Sequence, residues 1–256
     1  MRMIRYNLEP PVGVITLDRP DRRNALDSEM AGELTEALGA AETDPRCRVI
    51  LLRAEGPAFC AGMDLRALQM MLSQSYEANL EDSRRLAAVF ERLWSFPKPT
   101  VAAVQGAALG GGCGLAAICD VTLTAPDTQL GFPEVRIGFV PALVSIFLVR
   151  LVGHAHARDL LLSGRRMTGA EAHRIGLVNE VVALDALDRR AREVAKEFSA
   201  NSPQAMAATR RLLPAISPEE LEQACVANAN ARMTDDCREG VRAFLEKRPP
   251  SWTSSG

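Results

Sequence analysis

The sequence predicts an α/β fold whose last third is mostly helical, and three observations carry that expectation. Short β-rich runs, several of them almost wholly apolar, recur through the first half of the chain: Val12 to Asp18, Val49 to Arg53, Thr100 to Gln105 and Val121 to Thr124. Runs of that kind suit strands covered on both faces by helices. Helix-like segments separate them, and beyond about residue 150 helical runs punctuated by Gly and Pro take over.

Taken in order, Val12 to Asp18 is the first strand. Ser28 to Ala41 follows an Asp27/Ser28 N-cap signal and reads as a helix. Val49 to Arg53 is the next strand, and Leu80 to Trp94, with apolar residues three and four apart, the next long helix. Thr100 to Gln105 and Val121 to Thr124 bracket a glycine-rich turn and a helix-compatible LAAIC. The expected C-terminal helices span Ala155 to Leu162, Ala186 to Ser199, Pro203 to Leu213, Pro218 to Ala231 and Asp235 to Lys247.

The chain has 256 residues, 47% hydrophobic and 24% charged, with 30 basic against 32 acidic residues. This is long enough for a full hydrophobic core and excludes a disordered chain or a small disulfide scaffold. A net charge of -2 offers no long cationic face for nucleic acid. The six cysteines form no Cys-x-x-Cys and no secretory signal opens the chain, which points to free thiols in a reducing cytoplasm. Lys98 to Asp120 encloses a stretch without charge that is long enough to test as a membrane span. Gln105, Gly106 and Gly110 to Gly112 inside it, with Pro97 and Pro99 just before, fit a buried strand, turn and helix better.

Several chemistries are excluded. Gly-x-Ser-x-Gly is absent, Leu115 stands where the last glycine of a dinucleotide fingerprint belongs, and Gly112 where a P-loop needs lysine. His154, His156 and His173 lack metal-ligand spacing, so no metal is expected. Cys60 and Cys113 are conceivable nucleophiles but read more readily as small buried fillers of tight turns.

Two strand-turn-helix units remain. TVAAVQGAALGGGCGLAA and VILLRAEGPAFCAGMDL each end a strand in small residues and glycine before a helix, exposing backbone N–H groups. Such turns suit close packing or the stabilisation of an oxyanion, and two of them could supply one N–H each to a single carbonyl oxygen. Glu134 follows Pro133 in an otherwise apolar stretch beside Arg136. Desolvated, it would titrate near neutrality and exchange protons; paired with Arg136 it would be an ordinary surface residue.

Six motifs in order resemble the enoyl-CoA hydratase/isomerase (crotonase) superfamily over essentially the whole chain: ITLDRPDRRNAL, AFCAGMDL, AAVQGAALGGGCGLAAICD, FPEVRIGF, GRRMTGAEAHRIGLVNEVV and EGVRAFLEKRPP. The resemblance implies a crotonase-like spiral of ββα units over residues 1–195 and a helical trimerisation region over 196–256. It also implies a trimer or hexamer and an acyl-CoA thioester substrate, with coenzyme A as part of the substrate rather than a cofactor.

Carried onto this sequence, the family's two oxyanion-hole amides fall on Met63 and Gly111, and one of its catalytic glutamates on Glu134. The coenzyme A and acyl path falls on Arg22, Arg23, Ala25, Ala61, Asp64, Leu65, Arg66, Gly110, Pro133, Phe244 and Lys247. The second glutamate of two-glutamate hydratases is replaced by Gly114. A carboxylate acting alone suits Δ3-Δ2-enoyl-CoA isomerisation. The segment GFVPALVSIFLVRLVG, however, is similar to bacterial methylglutaconyl-CoA-type hydratases, some of which also carry Gly there. The expected activity is therefore reversible hydration of a 2-enoyl-CoA, with isomerisation and a non-catalytic acyl-CoA-binding role as alternatives.

Overall fold

The computed structural model describes residues 2–213 and 215–253. In chain order it contains β1 (Ile4–Glu9), β2 (Val12–Leu17), α1 (Ser28–Thr43), β3 (Val49–Ala54), α2 (Leu65–Met71), α3 (Tyr76–Trp94), β4 (Thr100–Val104), β5 (Ala107–Leu109) and α4 (Gly111–Ala117). Then follow β6 (Val121–Thr124), β7 (Gln129–Gly131), α5 (Ala142–Ser163), β8 (Arg166–Thr168), α6 (Gly169–Arg174), β9 (Glu180–Val181), α7 (Leu187–Ser199), α8 (Pro203–Leu212), α9 (Pro218–Arg232) and α10 (Asp235–Leu245).

The apolar runs become the parallel part of a six-stranded sheet in the order β1-β2-β3-β4-β6-β9, and β1 adds antiparallel to β2. Their side chains alternate across it. Ile15, Ile50, Leu52, Ala102 and Val104 face the main core with α1, α3 and α4, while Val14, Leu51, Val101, Ala103 and Leu123 face Leu187, Ala191 and Val194 of α7. Covering helices on both sides explain why these strands carry almost no polar residues.

A second sheet, β5-β7-β8, is built from three-residue strands and carries the site. These strands are too short to show a period in sequence, and their pairing partners define them. The helix expected at Ala155 begins instead at Ala142 and bends at Gly153, whose φ of 72° and ψ of 168° lie outside helical values. The nearly continuous apolar run before Gly153 hid the first part, because it lacks the three-and-four spacing. The expected boundary after residue 195 falls inside α7, whose Val194 and Ala195 are buried against the sheet. Farther on, α9 packs on α3 and α5, and residues 254–256 of the expected C-terminal region lie outside those described.

Candidate functional site

The two glycine-rich turns lie side by side. Phe59 and Cys60 N–H groups donate to Gln105 and Ala107, and Leu109 N–H donates to the Cys60 carbonyl at 2.9 Å. A side chain on Gly112 would meet the Cys60 carbonyl at 2.5 Å, and one on Gly106 would overlap the Pro57 carbonyl at 1.8 Å. Only glycine lets the backbones approach this closely.

Residues Arg23 to Leu26 hold the first turn in place. Ala61 N–H donates to Arg23, Leu26 N–H to Gly62 at 2.7 Å, and Asp64 N–H to Leu26 at 2.8 Å. Because Gly62 and Asp64 both face Leu26, the intervening Met63 N–H faces the opposite way, as alternation along an extended chain requires. Asn24, buried with a φ of 53°, ties the segment down through Nδ2 to the carbonyls of Glu55 and Ala58, both at 2.9 Å. In the second turn, Gly110 takes φ 54° and ψ −126°, and Gly111 opens α4. No backbone hydrogen bond takes up the N–H of Met63 or of Gly111 among the described residues.

Met63 and Gly111 both border a cavity of about 880 Å³. Its wall includes Arg22, Arg23, Ala25, Ala61, Met63, Asp64, Leu65, Gly110, Gly111, Pro133, Glu134, Phe244 and Lys247. Of the residues expected from sequence, only Arg66 is not brought to it. Arg66 projects into solvent from α2, and its N–H donates to Asp64 Oδ1 at 2.7 Å. Asp64 is an N-cap of α2 and a buried counter-charge, with Oδ2 3.3 Å from Arg19 and 3.7 Å from Arg22.

Glu134 stands on a 3-10 turn, Pro133–Ile137, and has no ion pair with Arg136 among the described residues. The residue as a whole is half-buried, but its Oε2 is enclosed and has no hydrogen-bond partner. A Cβ on Gly110 would sit 2.8 Å from Oε1. Burial pushes the carboxyl up from the usual glutamate value to about 7. It can therefore both accept and release a proton near neutral pH. Burial pushes the thiols of Cys60 and Cys113 up to about 12, which leaves them protonated and unsuited to nucleophilic attack.

Beside Gly114 there is no room for a second carboxylate. A Cβ there would meet Val144 Cγ1 at 2.6 Å and the Phe90 ring at 3.3 Å. Among the polar residues of the cavity wall that were not anticipated are Asp82 and Arg85 on α3 and Asn228 and Arg232 on α9. The signal available in sequence was Arg232 standing four residues after Asn228, on the helix face that also buries Cys225 and Ala229.

Among the described residues no group of acidic, histidine or cysteine side chains fits a metal, and no helix is long and apolar enough to cross a membrane. A sequence model of the Enoyl-CoA hydratase/isomerase family matches residues 8–255. A Thermus thermophilus protein named "Putative enoyl-CoA hydratase" is 44% identical, covering 93% of this chain and 96% of that one. The 2,3-dehydroadipyl-CoA hydratase of Escherichia coli is 35% identical, covering 93% and 94%. The crystal structure of an enoyl-CoA hydratase from Mycobacterium avium superposes with a TM-score of 0.87 at 30% identity, covering 98% and 99%. With the crotonase fold and a cavity bordered by two free amides and one buried glutamate, the chain is an acyl-CoA enzyme belonging to the enoyl-CoA hydratase/isomerase family.

Proposed function

We propose that the chain hydrates 2-enoyl-CoA thioesters reversibly, with Glu134 acting as the sole proton-transfer group. The observation that carries this reading is the buried Glu134 carboxyl, with its unpartnered Oε2 and its titration near 7. The thioester carbonyl accepts hydrogen bonds from Met63 and Gly111 N–H, which stabilise charge as it moves onto that oxygen. One such donor contributes on the order of 3 kcal/mol. Water gives a proton to Glu134 as its oxygen bonds to C3, the C2=C3 electrons move into the enolate, and Glu134 returns the proton to C2. The names of the relatives, at 35% and 44% identity, favour hydration.

The wall beside Gly114 favours a second reading, Δ3-Δ2 isomerisation. An apolar Val144 and Phe90 surface offers water no hydrogen bonds, and a single carboxylate can take a proton from C2 and deliver it to C4. Arg22, Arg23 and Lys247 at the cavity mouth are proposed to meet the coenzyme A phosphates, and trimeric assembly in the cytoplasm is part of the same proposal. The deciding assay offers purified protein crotonyl-CoA and a 3-enoyl-CoA and follows enoyl absorbance and products. Water addition to the first without conversion of the second is the expected result. Conversion of the 3-enoyl thioester alone would replace hydration by isomerisation, and coenzyme A binding with no turnover would make the chain a binding protein.

A further inference from the structure

One wall of the cavity changes from apolar to polar with distance from the reacting end. On α3, Phe90 packs against Gly111 and Gly114, and Leu86, Arg85 and Asp82 extend the cavity wall toward the helix N-terminus. Eight residues separate Phe90 from Asp82, about 12 Å along the axis at 1.5 Å per residue. There Asp82 Oδ2 receives Arg232 Nη1 at 2.7 Å, and Oδ1 receives Ser28 Oγ at 2.8 Å.

Arg232 has a side chain only 1% exposed. Its Nε donates to Asn228 Oδ1 at 3.0 Å and Nη1 also to Asn79 Oδ1 at 3.2 Å, with the guanidinium 5.6 Å from the Phe139 ring centroid. Nη2 has no partner. A guanidinium has five N–H donors and cannot shed its charge, so two donors of a buried cation are left unused at a cavity wall. Burying such donors without acceptors is unfavourable, and a neutral side chain would join α3 to α9 without that cost. Packing alone does not explain the residue.

The surrounding charges indicate what would complete it. Asp82 offsets Arg232, but Arg85 lines the same wall, and its ion-pair partner Glu81, at 3.2 Å, does not. Each guanidinium of α3 and α9 at the wall thus has one carboxylate, and what the wall lacks is hydrogen-bond acceptors for the remaining Arg232 donors. Asn228 Oδ1 is already taken by Ser83 Oγ and Arg232 Nε, which leaves its NH2 group for the cavity. A wall that offers unused donors of a guanidinium suits a planar anionic acceptor, because guanidinium and carboxylate match in geometry.

We propose that this wall determines specificity for a carboxylate at the far end of the acyl chain, with Arg232 as its principal donor. The preferred substrates are then ω-carboxy enoyl-CoA thioesters rather than plain hydrocarbon chains. The proposal rests on the enoyl-CoA reading above.

The test compares matched pairs of saturated acyl-CoA and ω-carboxyacyl-CoA, from four to ten carbons, by calorimetry on the full chain. The corresponding enoyl thioesters are then compared by kcat/KM. The expected result is at least ten-fold preference for the carboxylate at the best length, falling to within two-fold of parity in Arg232→Met and partly kept in Arg232→Lys. No preference at any length, or a preference unchanged in Arg232→Met, overturns the proposal; if that variant fails to fold, the wild-type ratio alone decides. Ten-fold preference in binding with no turnover of any enoyl thioester would reject the reaction and leave the site standing. Turnover of plain chains without preference would reject the site alone.

Discussion

The two turns that border the cavity present free backbone amides by different means, and the buried carboxylate beside each, Asp64 within the first and Glu134 packed against Gly110 of the second, has a different fate. Around Met63, side chains hold the backbone. Asn24 bonds two carbonyls, Asp64 caps α2, and Arg19 and Arg22 approach the Asp64 carboxylate. Around Gly111, glycines at 106, 110, 112 and 114 allow contacts that any Cβ would obstruct. Asp64 has two guanidinium groups near its carboxylate and serves architecture, whereas Glu134 has no counter-charge and its Oε2 no hydrogen-bond partner, so burial outweighs the opposing hydrogen bond from its own backbone N–H. Desolvation without a partner makes a carboxylate reactive near neutral pH, and the same desolvation with a partner makes it a strut.

The largest break in this comparison is Glu134→Gln. Turnover should fall by about 10²-fold or more, the scale of a general acid–base group, while acyl-CoA still binds. In the wild type, kcat/KM should decline as pH drops through about 7, because the base must be ionised. Stability should move the other way. The folded carboxyl titrates near 7 against a usual value of 4.5, so the contribution of this group to stability is fully present below 4.5 and is lost as pH rises toward 7. Thermal unfolding at pH 8 should therefore find the Gln variant more stable by about 1 to 3 kcal/mol, with the difference gone near pH 4. Equal stability at both pH values would mean that Glu134 is not desolvated.

Asp64→Asn probes the other carboxylate. The amide oxygen can still cap α2, but Arg19 and Arg22 lose a buried counter-charge, and Arg19 keeps only Asp27 at 2.6 Å. Urea unfolding should show a loss of about 1 to 3 kcal/mol, less than for a fully buried pair because Arg19 and Arg22 remain partly solvated. Turnover of the folded fraction should stay within about ten-fold of wild type, since the Met63 N–H is held by the neighbouring backbone bonds to Leu26. A loss of activity as large as in the Glu134 variant would place Asp64 in the chemistry and erase the distinction.

Much of this arrangement was legible in the sequence, and the rest was not for physical reasons. The β-rich runs and capped helices carry local signals, so the sheet and most helices were predictable. The turn at Gln105 to Gly112 was visible as a glycine cluster, that at Ala58 to Leu65 as small residues around Gly62, and Glu134 as an acid in an apolar stretch. Strands β5, β7 and β8 exist only through their partners, and three residues show no period. Whether Asp64 or Glu134 would be paired depended on Arg19 and Arg22, brought in from a different segment. The filling of the space beside Gly114 was equally hidden, because Phe90 and Val144 come from α3 and α5.

The smallest expected effect tests that filled space. An alanine at position 114 would place its Cβ 2.6 Å from Val144 Cγ1 and 3.3 Å from the Phe90 ring, so α4, α3 and α5 must shift or Val144 must rotate. Gly114 is helical with no positive φ, so the strain is one of packing and should cost about 1 to 2 kcal/mol. Val144→Ala removes the closest atom, and the double variant should recover most of that loss, a coupling of about 1 kcal/mol in a double-mutant cycle. Turnover should change little in either variant, because the Gly111 N–H lies in the preceding turn of the helix and Gly114 contributes no side chain to the cavity. Additive losses would mean that Val144 does not fill the space beside Gly114, and the second carboxylate would then be excluded only by the absence of an acid in the sequence.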